Sequence, residues 1–190
     1  MILTAVVLSA LLVASFAIDA AAQALTLADK ATMLSLFNRA RAGVSPPAAT
    51  MPSLVWDSQL ETIAQKWANT CTDVTAPIGL LDHNNNRSSG YPVYVGENVA
   101  ASSGLITPAK AVDLWMSERA NYNLTNDNCK GVCGHYKQVV NAATTAVGCA
   151  RSSCPNLRFS STLVCNFAPG AGRARPYVEK PGATAPRKTQ

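Results

Sequence analysis

The chain has 190 residues, of which 48% are hydrophobic, so it is long and apolar enough for one domain with a substantial core. Its formal net charge is +5, but five basic residues and only one acidic residue fall within residues 173–190. The remainder is nearly neutral, which excludes a basic nucleic-acid groove. We expect residues 173–190 to form a basic, disordered tail that is dispensable for folding, in preference to a membrane- or glycan-binding arm.

Residues 1–22 have the pattern of a secretory signal peptide. An apolar run covers residues 2–17, and the small residues Ala20, Ala21 and Ala22 follow it where a signal peptidase would cleave. The alternative is an uncleaved membrane anchor, but the run is shorter than the ~20 residues of a membrane span. We therefore expect a secreted, extracellular protein whose domain begins near residue 23.

Capping residues and apolar periodicity predict three helices. The first covers residues 26–41, with Thr26 as its N-cap and an apolar stripe that begins at Leu27. The second begins at Asp57 and shows the clearest helical period of the sequence, which continues to residue 71. The third begins at Thr107, because a threonine followed by a proline is a strong helix start signal.

Two candidate site residues, His83 and Glu97, lie in a long loop or just after it. Residues 72–95 form a long loop that contains His83 and leads into Gly96-Glu97-Asn98. Loops of this length are usually functional or disordered. A third residue, Glu118, falls seven positions after Ala111 on the apolar face of the third helix. An unpaired charge is costly there, so we expect Glu118 to have a partner.

Three strands are predicted in the C-terminal half. The first begins at His135, because the side chains of residues 136–140 alternate as in a strand. The other two cover residues 146–150 and 159–167.

The two histidines and two of the glutamates form a chemically plausible set, namely His83, Glu97, Glu118 and His135. Two imidazoles and two carboxylates suit a zinc-type divalent site, or a pair of acid–base dyads. Spacing alone does not show that the four residues meet, and a purely structural role remains an alternative for each of them.

Six cysteines in a secreted chain predict three disulfides, and their spacing leaves all fifteen pairings open. The cysteine and histidine spacings do not fit a zinc ribbon. Asn86 and Asn123 each begin an Asn-X-Ser/Thr sequon, so both are predicted glycosylation sites in a host that glycosylates.

A series of short motifs resembles the CAP superfamily of cysteine-rich secretory proteins, insect-venom antigen 5 and plant pathogenesis-related protein 1. The resemblance runs from about Leu34 to Gly172, and its weaker motifs lie at residues 36–41, 54–57, 64–71, 96–98 and 115–118. The two signature motifs are Gly134-His135-Tyr136-Lys137-Gln138-Val139-Val140 and Leu163-Val164-Cys165-Asn166-Phe167-Ala168-Pro169. One departure from the family pattern is Lys137, which stands where Thr or Ser is usual.

The resemblance implies an α+β fold over residues 23–172, a three-layer α-β-α sandwich with a central antiparallel sheet. It also implies that His83, Glu97, Glu118 and His135 line one cleft. In similar proteins the two histidines bind a divalent cation, often zinc, and the glutamates hold water or the rings. The cation is not expected to be required for folding. The disulfide pairing that the resemblance implies is Cys71–Cys154, Cys129–Cys133 and Cys149–Cys165.

The leading expectation is a secreted, non-catalytic CAP-domain protein, acting in defence or host interaction. It would bind a small apolar ligand such as a sterol or fatty acid, or a cell-surface or extracellular target. One alternative is a hydrolase that uses a metal-activated water or a Ser/His/Glu triad, although nothing ties Ser102 or Ser103 to a histidine. Another is a structural protein of the extracellular matrix or cell wall. We expect a monomer with no nucleic-acid partner.

Overall fold

The structure, a computed structural model, describes residues 24–75 and 78–182. The predicted signal peptide lies outside these residues, as do the last eight residues of the predicted tail. The helices are α1 (Leu27–Ala42), α2 (Ser58–Ala68), α3 (Pro108–Ser117) and α4 (Gly134–Val139), with a 3₁₀ helix at Glu118–Asn121. The strands are β1 (Val55–Trp56), β2 (Gly96–Ser102), β3 (Tyr122–Asn123), β4 (Asn128–Cys129), β5 (Ala146–Ser153) and β6 (Ser161–Ala168). Within the described ranges, every helix is too short or too polar to span a bilayer.

The main sheet has the strand order β1-β5-β6-β2. β6 pairs antiparallel with both β5 and β2, whereas the two-residue β1 pairs parallel with β5. β3 and β4 form a separate hairpin. The sheet is therefore mostly antiparallel, as expected, and β2 is one of its two edges.

Helices cover both faces of the sheet, which confirms the three-layer sandwich. On one face, Ala64 and Ala68 of α2 pack against Ala150 of β5 and Val164 of β6. This helix lies close to β5 because residue 148 is glycine; a Cβ there would lie 2.2 Å from the backbone nitrogen of Glu61. On the other face, α1 and α3 pack against the sheet through a cluster of aromatic rings. The rings of Phe37, Trp115 and Phe167 make this contact.

The three predicted helix starts are confirmed. Thr26 and Asp29 form a reciprocal capping box at the start of α1. Asp57 accepts hydrogen bonds from the backbone nitrogens of Gln59 and Leu60, which caps α2. Thr107 caps α3, with Pro108 at the first helical position.

The buried face of α1 differs from the predicted stripe at both ends. Leu27 is 83% exposed, so it does not belong to the core. Arg41, which the apolar pattern did not include, is 1% exposed. Its guanidinium donates to the backbone carbonyls of Pro52, Val139, Asn141 and Thr144. These bonds join α1 to the end of α4 and to the segment before β1.

The predicted strand beginning at His135 is wrong, because these residues form the short helix α4. The backbone nitrogen of Lys137 donates to the carbonyl of Cys133, and that of Val140 donates to the carbonyl of Tyr136. Residues on both sides of the supposed alternation are buried, including Gln138 and Val139. The alternating side chains of residues 136–140 are therefore buried on more than one side of a short helix, and not on one face of a sheet.

The expectation of a disordered tail from residue 173 onward is wrong for residues 176–180. Tyr177 is 3% exposed and belongs to the main core cluster. The carbonyl of Val178 accepts from the backbone nitrogen of Ala49, and Glu179 forms a β-bridge with Ala48. This segment is therefore part of the folded domain.

Three disulfides link the chain, in the pairing that the family resemblance implied. They are Cys71–Cys154, Cys129–Cys133 and Cys149–Cys165. The first joins the end of α2 to the loop between β5 and β6, and the last crosslinks the paired strands β5 and β6. Such a set is typical of proteins that fold in an oxidising compartment.

Candidate functional site

The first histidine–carboxylate pair joins the long loop to the edge strand β2. Glu97 is the second residue of β2, and its side chain is fully buried. Its Oε1 accepts from Nδ1 of His83 at 2.8 Å and from the backbone nitrogen of Asn84 at 2.9 Å. Its Oε2 is buried and has no hydrogen-bond partner within the described part of the chain. A buried carboxylate oxygen in this state calls for a donor or a cation from outside the protein.

The second pair joins the end of α3 to the start of α4. Nδ1 of His135 lies 2.5 Å from Oε1 of Glu118, and the backbone nitrogen of Tyr136 donates to Oε2 at 3.1 Å. Glu118 therefore has the partner that its position required. Because it also accepts a backbone N–H in the first turn of α4, this carboxylate supplies the cap that Cys133 does not provide.

The protonation state of Glu118 follows from its surroundings. Burial is the largest single influence and would raise the pKa of the carboxyl. The hydrogen bonds from His135 and from the Tyr136 backbone together outweigh burial, so the pKa of Glu118 lies below its ordinary value. An ionised Glu118 can accept a hydrogen bond from Nδ1–H of His135, and in that tautomer Nε2 is the acceptor nitrogen of the ring.

The two pairs face one open cleft of about 580 Å³, which is lined by His83, Glu97 and His135, among others. The amide nitrogen of Asn98 donates to the backbone carbonyl of His135, which ties α4 to β2. The ring of His135 also stacks on Trp115 at 6.4 Å between centroids. Three of the four residues singled out in the sequence line this cleft, whereas Glu118 is not among its lining residues and reaches the site through its contact with His135.

A second cavity of about 440 Å³ adjoins the cleft and shares His83, Asn85 and His135 with it. Its other lining residues come from α2, from β2 and from the loop that follows Cys71. The apolar ones are Trp67, Val74, Leu80, Leu81, Val99, Ala100 and Ala101. The histidines therefore stand between a polar cleft and a more apolar cavity.

Arg87 is a cleft residue that the sequence reasoning missed. Its guanidinium donates to the carbonyls of Asn84 and Val95 and to the hydroxyl of Tyr94. These bonds fix the charge on the cleft wall and leave two N–H groups free of those partners. The sequence signal that could have identified it is its position, since it is the one arginine between His83 and Glu97.

Gln138 was also missed, and it explains why residue 96 is glycine. A Cβ on Gly96 would lie 1.8 Å from Oε1 of Gln138. That same oxygen accepts from the backbone nitrogen of Ala171 at 2.7 Å. Residue 96 must therefore be glycine, because the Gln138 side chain lies against its backbone.

Lys137 lies at the cleft, but its ammonium group is engaged. Nζ lies 3.0 Å from Oδ1 of Asp127, donates to the carbonyl of Arg173, and stands over the ring of Tyr122. The lysine and Asp127 therefore form a neutral pair at the rim, and the family departure at this position adds no net charge.

The chemistry available at the cleft is that of two imidazoles, each hydrogen-bonded to a carboxylate. Among residues 24–75 and 78–182, no group of three or more His, Cys, Asp or Glu side chains is arranged to hold a metal. Ser102 accepts a hydrogen bond from Nζ of Lys110 at 2.8 Å, and among the described residues the ring nitrogens of the two histidines are hydrogen-bonded to glutamates rather than to a serine. Asn86 and Asn123, the predicted glycosylation sites, are both exposed.

The fold and the site define a disulfide-linked α-β-α domain with two histidine–glutamate pairs in one cleft. Residues 34–167 match the family model described as "CAP: Cysteine-rich secretory protein family". The chain therefore belongs to the CAP family.

Relatives in sequence and structure agree with this assignment. The chain is 41% identical to GLIPR1-like protein 1 of Bos taurus over 144 residues, covering 72% of this chain and 56% of the relative. It is 36% identical to the cysteine-rich venom protein of Conus textile, covering 84% and 49%. The solved structure of Schistosoma mansoni venom allergen-like protein 4 superposes with a TM-score of 0.68 at 28% identity, covering 83% and 97%. The chain thus spans about half the length of these two curated relatives.

Proposed function

We propose that this protein is a secreted, non-catalytic CAP-domain protein whose cleft holds one divalent cation and a small apolar or amphipathic ligand. The observation that carries the proposal is the geometry of the two histidines. Nδ1 of each ring is bonded to a carboxylate, and both rings line the same cleft. Carboxylates on the distal nitrogens of metal-binding histidines fix the tautomer that presents Nε2 to the metal.

The residues fit a zinc-type ion, with His83 and His135 as its ligands through Nε2. Zinc prefers imidazole nitrogen, and two protein ligands leave coordination positions for water or a bound molecule. Oε2 of Glu97 is a buried acceptor without a partner among the described residues, and the carboxylate places negative charge beside His83. When bound, the ion would supply Lewis acidity. The chain's own residues orient the rings, since each Nδ1 is hydrogen-bonded to a glutamate.

Three further observations support the remaining parts of the proposal. The three disulfides and the relative named as a venom protein favour an extracellular protein. The second cavity supplies apolar surface for a ligand. Both histidines are hydrogen-bonded to glutamates through Nδ1, and among the described residues neither ring is hydrogen-bonded to a serine, as a Ser/His/Glu triad would require. The ligand and the whole protein's partners are proposals, since the curated relatives are longer than this chain.

Zinc calorimetry tests the proposal. We expect one zinc ion per chain for the wild type at neutral pH, and none for His135→Ala. Asn128→Ala, on the exposed strand β4, is the control and should bind zinc as the wild type does. Zinc takes unprotonated imidazole, and free imidazole gains a proton below about pH 6.5, so zinc affinity should fall at lower pH.

The competing interpretation is that the two rings only satisfy buried carboxylates. In that case the wild type would release no heat with zinc, and His135→Ala would lower stability without changing the metal content. Broad ester and peptide substrates, with and without chelator, test the hydrolase alternative; turnover that chelator or His135→Ala abolishes would replace the binding function by an enzymatic one.

A further inference from the structure

A third cavity, the hairpin pocket, lies apart from the two histidines. Its volume is about 520 Å³, and in the described part of the chain it shares no lining residue with the cleft or the second cavity. Its walls are the 3₁₀ helix, the β3–β4 hairpin, the segment at Ser45 and Pro46, and Tyr177 near the C-terminus. Small-molecule sites have volumes of this order, and polar side chains predominate in this one, so the pocket suits a hydrophilic ligand.

The hairpin pocket has two basic side chains, Arg119 and Lys130, whereas none of its described lining residues is acidic. Arg119 donates one N–H to the carbonyl of Ser45 at 3.2 Å and keeps its other donors. Among residues 24–75 and 78–182, neither basic side chain has a carboxylate within ion-pair distance. Both therefore present positive charge that a ligand can neutralise.

Two acidic residues near the pocket do not cancel this charge. Asp127 of the hairpin accepts from the hydroxyl of Tyr122 at 2.6 Å and pairs with Lys137 at 3.0 Å, so its charge is balanced. Glu179 interacts electrostatically with Tyr177, but it is not part of the lining. Two lining cations against one carboxylate outside the lining leave a positive excess, which favours an anionic group in the pocket.

Two buried tyrosines supply hydroxyl groups to the pocket. Tyr136 and Tyr177 are 2% and 3% exposed, and their hydroxyls are hydrogen-bonded to each other. One of the two O–H groups donates in that bond, which leaves the other as a donor for a ligand. Burial raises the pKa of both tyrosines, and the positive charge of Arg119 acts in the opposite direction. The guanidinium and the two hydroxyls therefore belong to the same site.

Asparagine side chains of the hairpin add amide donors. Oδ1 of Asn123 accepts from the backbone nitrogen of Thr125 at 3.0 Å, and Oδ1 of Asn126 accepts from that of Asn128 at 3.2 Å. These turns hold both side chains and leave each NH₂ group without a partner among the described residues. Sugar hydroxyls donate and accept hydrogen bonds, so amide and phenolic groups of this kind can pair with them.

We propose that the hairpin pocket binds an acidic sugar, with its anionic group between Arg119 and Lys130 and its hydroxyls at Tyr136 and the asparagine amides. A neutral sugar would leave the two basic charges unbalanced. An apolar anion would cover the amide and phenolic donors without giving them partners, which is costly for buried polar groups. This inference goes beyond the proposed cation site and does not depend on it.

The experiment is a ligand-observed NMR titration of protein from a host that does not glycosylate, since Asn123 lines the pocket. The ligands are glucuronate, glucose 6-phosphate and glucose 6-sulfate, with glucose as the neutral control. The best acidic sugar should bind about tenfold more tightly than glucose, and the order among the three identifies the acidic group. Added salt should weaken the acidic sugars and leave glucose unchanged.

Acetate and inorganic phosphate measure how much the sugar itself contributes. Each should bind about tenfold more weakly than glucuronate or glucose 6-phosphate, respectively, because neither reaches the tyrosine and asparagine groups. Inorganic phosphate that binds as tightly as glucose 6-phosphate would show a simple anion site and would overturn the inference.

Lys130→Gln is the matched variant, because this side chain is exposed and forms no ion pair within the described ranges, so the fold should be unaffected. It should weaken the best acidic sugar about threefold, and Arg119→Gln should weaken it about tenfold, since a guanidinium forms charge-assisted hydrogen bonds. Neither variant should change the affinity for glucose. Lys66→Gln removes the same charge from an exposed position of α2, outside the pocket, and should change nothing.

Failure of this inference is distinguishable from failure of the proposed function. The inference would be overturned if no acidic sugar bound, if glucose bound equally well, or if Lys130→Gln and Arg119→Gln both bound as the wild type does. Chelator should leave the sugar affinities unchanged, and sugar binding that requires zinc would place the ligand in the cleft instead. Loss of zinc binding with intact binding of the acidic sugar would reject the cation site and leave this inference standing.

Discussion

Replacing Arg41 should cause a large loss in the free energy of unfolding. Arg41 carries a charge at 1% exposure, and four backbone carbonyls surround its guanidinium at 2.7–3.1 Å. Burial lowers the pKa of Arg41 to about 10, which corresponds to roughly 3 kcal/mol of unfavourable desolvation. The carbonyl hydrogen bonds offset that cost.

Arg41→Met keeps an unbranched chain of similar length but removes every donor. Four buried carbonyls at about 2 kcal/mol each would cost roughly 8 kcal/mol, and relief of the desolvation reduces the loss to about 5 kcal/mol. Urea unfolding should show this loss, together with a lower midpoint at an unchanged m-value. Arg39→Met, an exposed arginine of the same helix, is the control and should stay within about 0.5 kcal/mol of the wild type.

A loss below about 1 kcal/mol for Arg41→Met would refute this reasoning. It would mean that water or a backbone shift satisfies the four carbonyls without the guanidinium. Two of these carbonyls, those of Val139 and Asn141, lie at the end of α4, the helix that carries His135. Arg41→Met should therefore also weaken zinc binding, even though no atom of Arg41 lines the cleft.

Replacing the Cys71–Cys154 disulfide by serines should cost about 2–5 kcal/mol in thermal unfolding, more than loss of Cys129–Cys133, because it closes a separation of 83 residues against 4; equal losses would contradict the loop-closure argument. Tyr177→Ala should cost about 3 kcal/mol because the ring lies in the core, and an unchanged Tm would restore the view of this segment as a dispensable tail. Burial raises the pKa of Tyr91 to about 12, and those of three other tyrosines also rise above the ordinary 10.0. The folded state therefore holds protons that the unfolded state releases above pH 10, so the free energy of unfolding should fall from there towards pH 12. Ultraviolet titration should show most tyrosines still protonated at pH 11, and full ionisation in the folded protein would contradict it.

Helix starts could be predicted because their causes are local. Thr26, Asp57 and Thr107 each cap the backbone within three residues of themselves, so the sequence contains the whole interaction. The sequence could predict that Glu118 has a partner, since an unpaired carboxylate on the apolar face of a helix is destabilising. Its identity came only from the family resemblance, because His135 is 17 residues away.

Other features could not be predicted because long-range contacts decide them. Residues 134–139 have weak helix signals, and the carboxylate of Glu118, from the 3₁₀ helix that follows α3, caps the helix that they form. Arg41 interrupts an apolar stripe, and its partners are carbonyls as much as 103 residues away. The packing of Tyr177 depends on a surface built by residues far earlier in the chain. Composition alone made its segment look like a charged extension.

The two glutamates that contact the histidines look equivalent in the sequence, but the structure predicts opposite effects when each is changed to glutamine. Glu118 uses both oxygens, one for His135 and one for the Tyr136 backbone, so an amide must turn its NH₂ towards one of these donors. Glu118→Gln should therefore lower stability by about 1–3 kcal/mol. Glu97 uses only Oε1, and an amide can keep both hydrogen bonds there while its NH₂ takes the open Oε2 position.

Glu97→Gln should therefore leave Tm unchanged or higher, because it replaces a fully buried charge by a neutral group of the same shape. It should also weaken zinc binding, since the amide no longer balances the ion's charge. A variant that gains stability while losing affinity is what a residue retained for binding predicts. Thermal unfolding and zinc calorimetry on both glutamine variants measure the two effects separately. Equal destabilisation by both would show that the open oxygen of Glu97 has a structural partner, and the case for an external cation or donor at that position would fail.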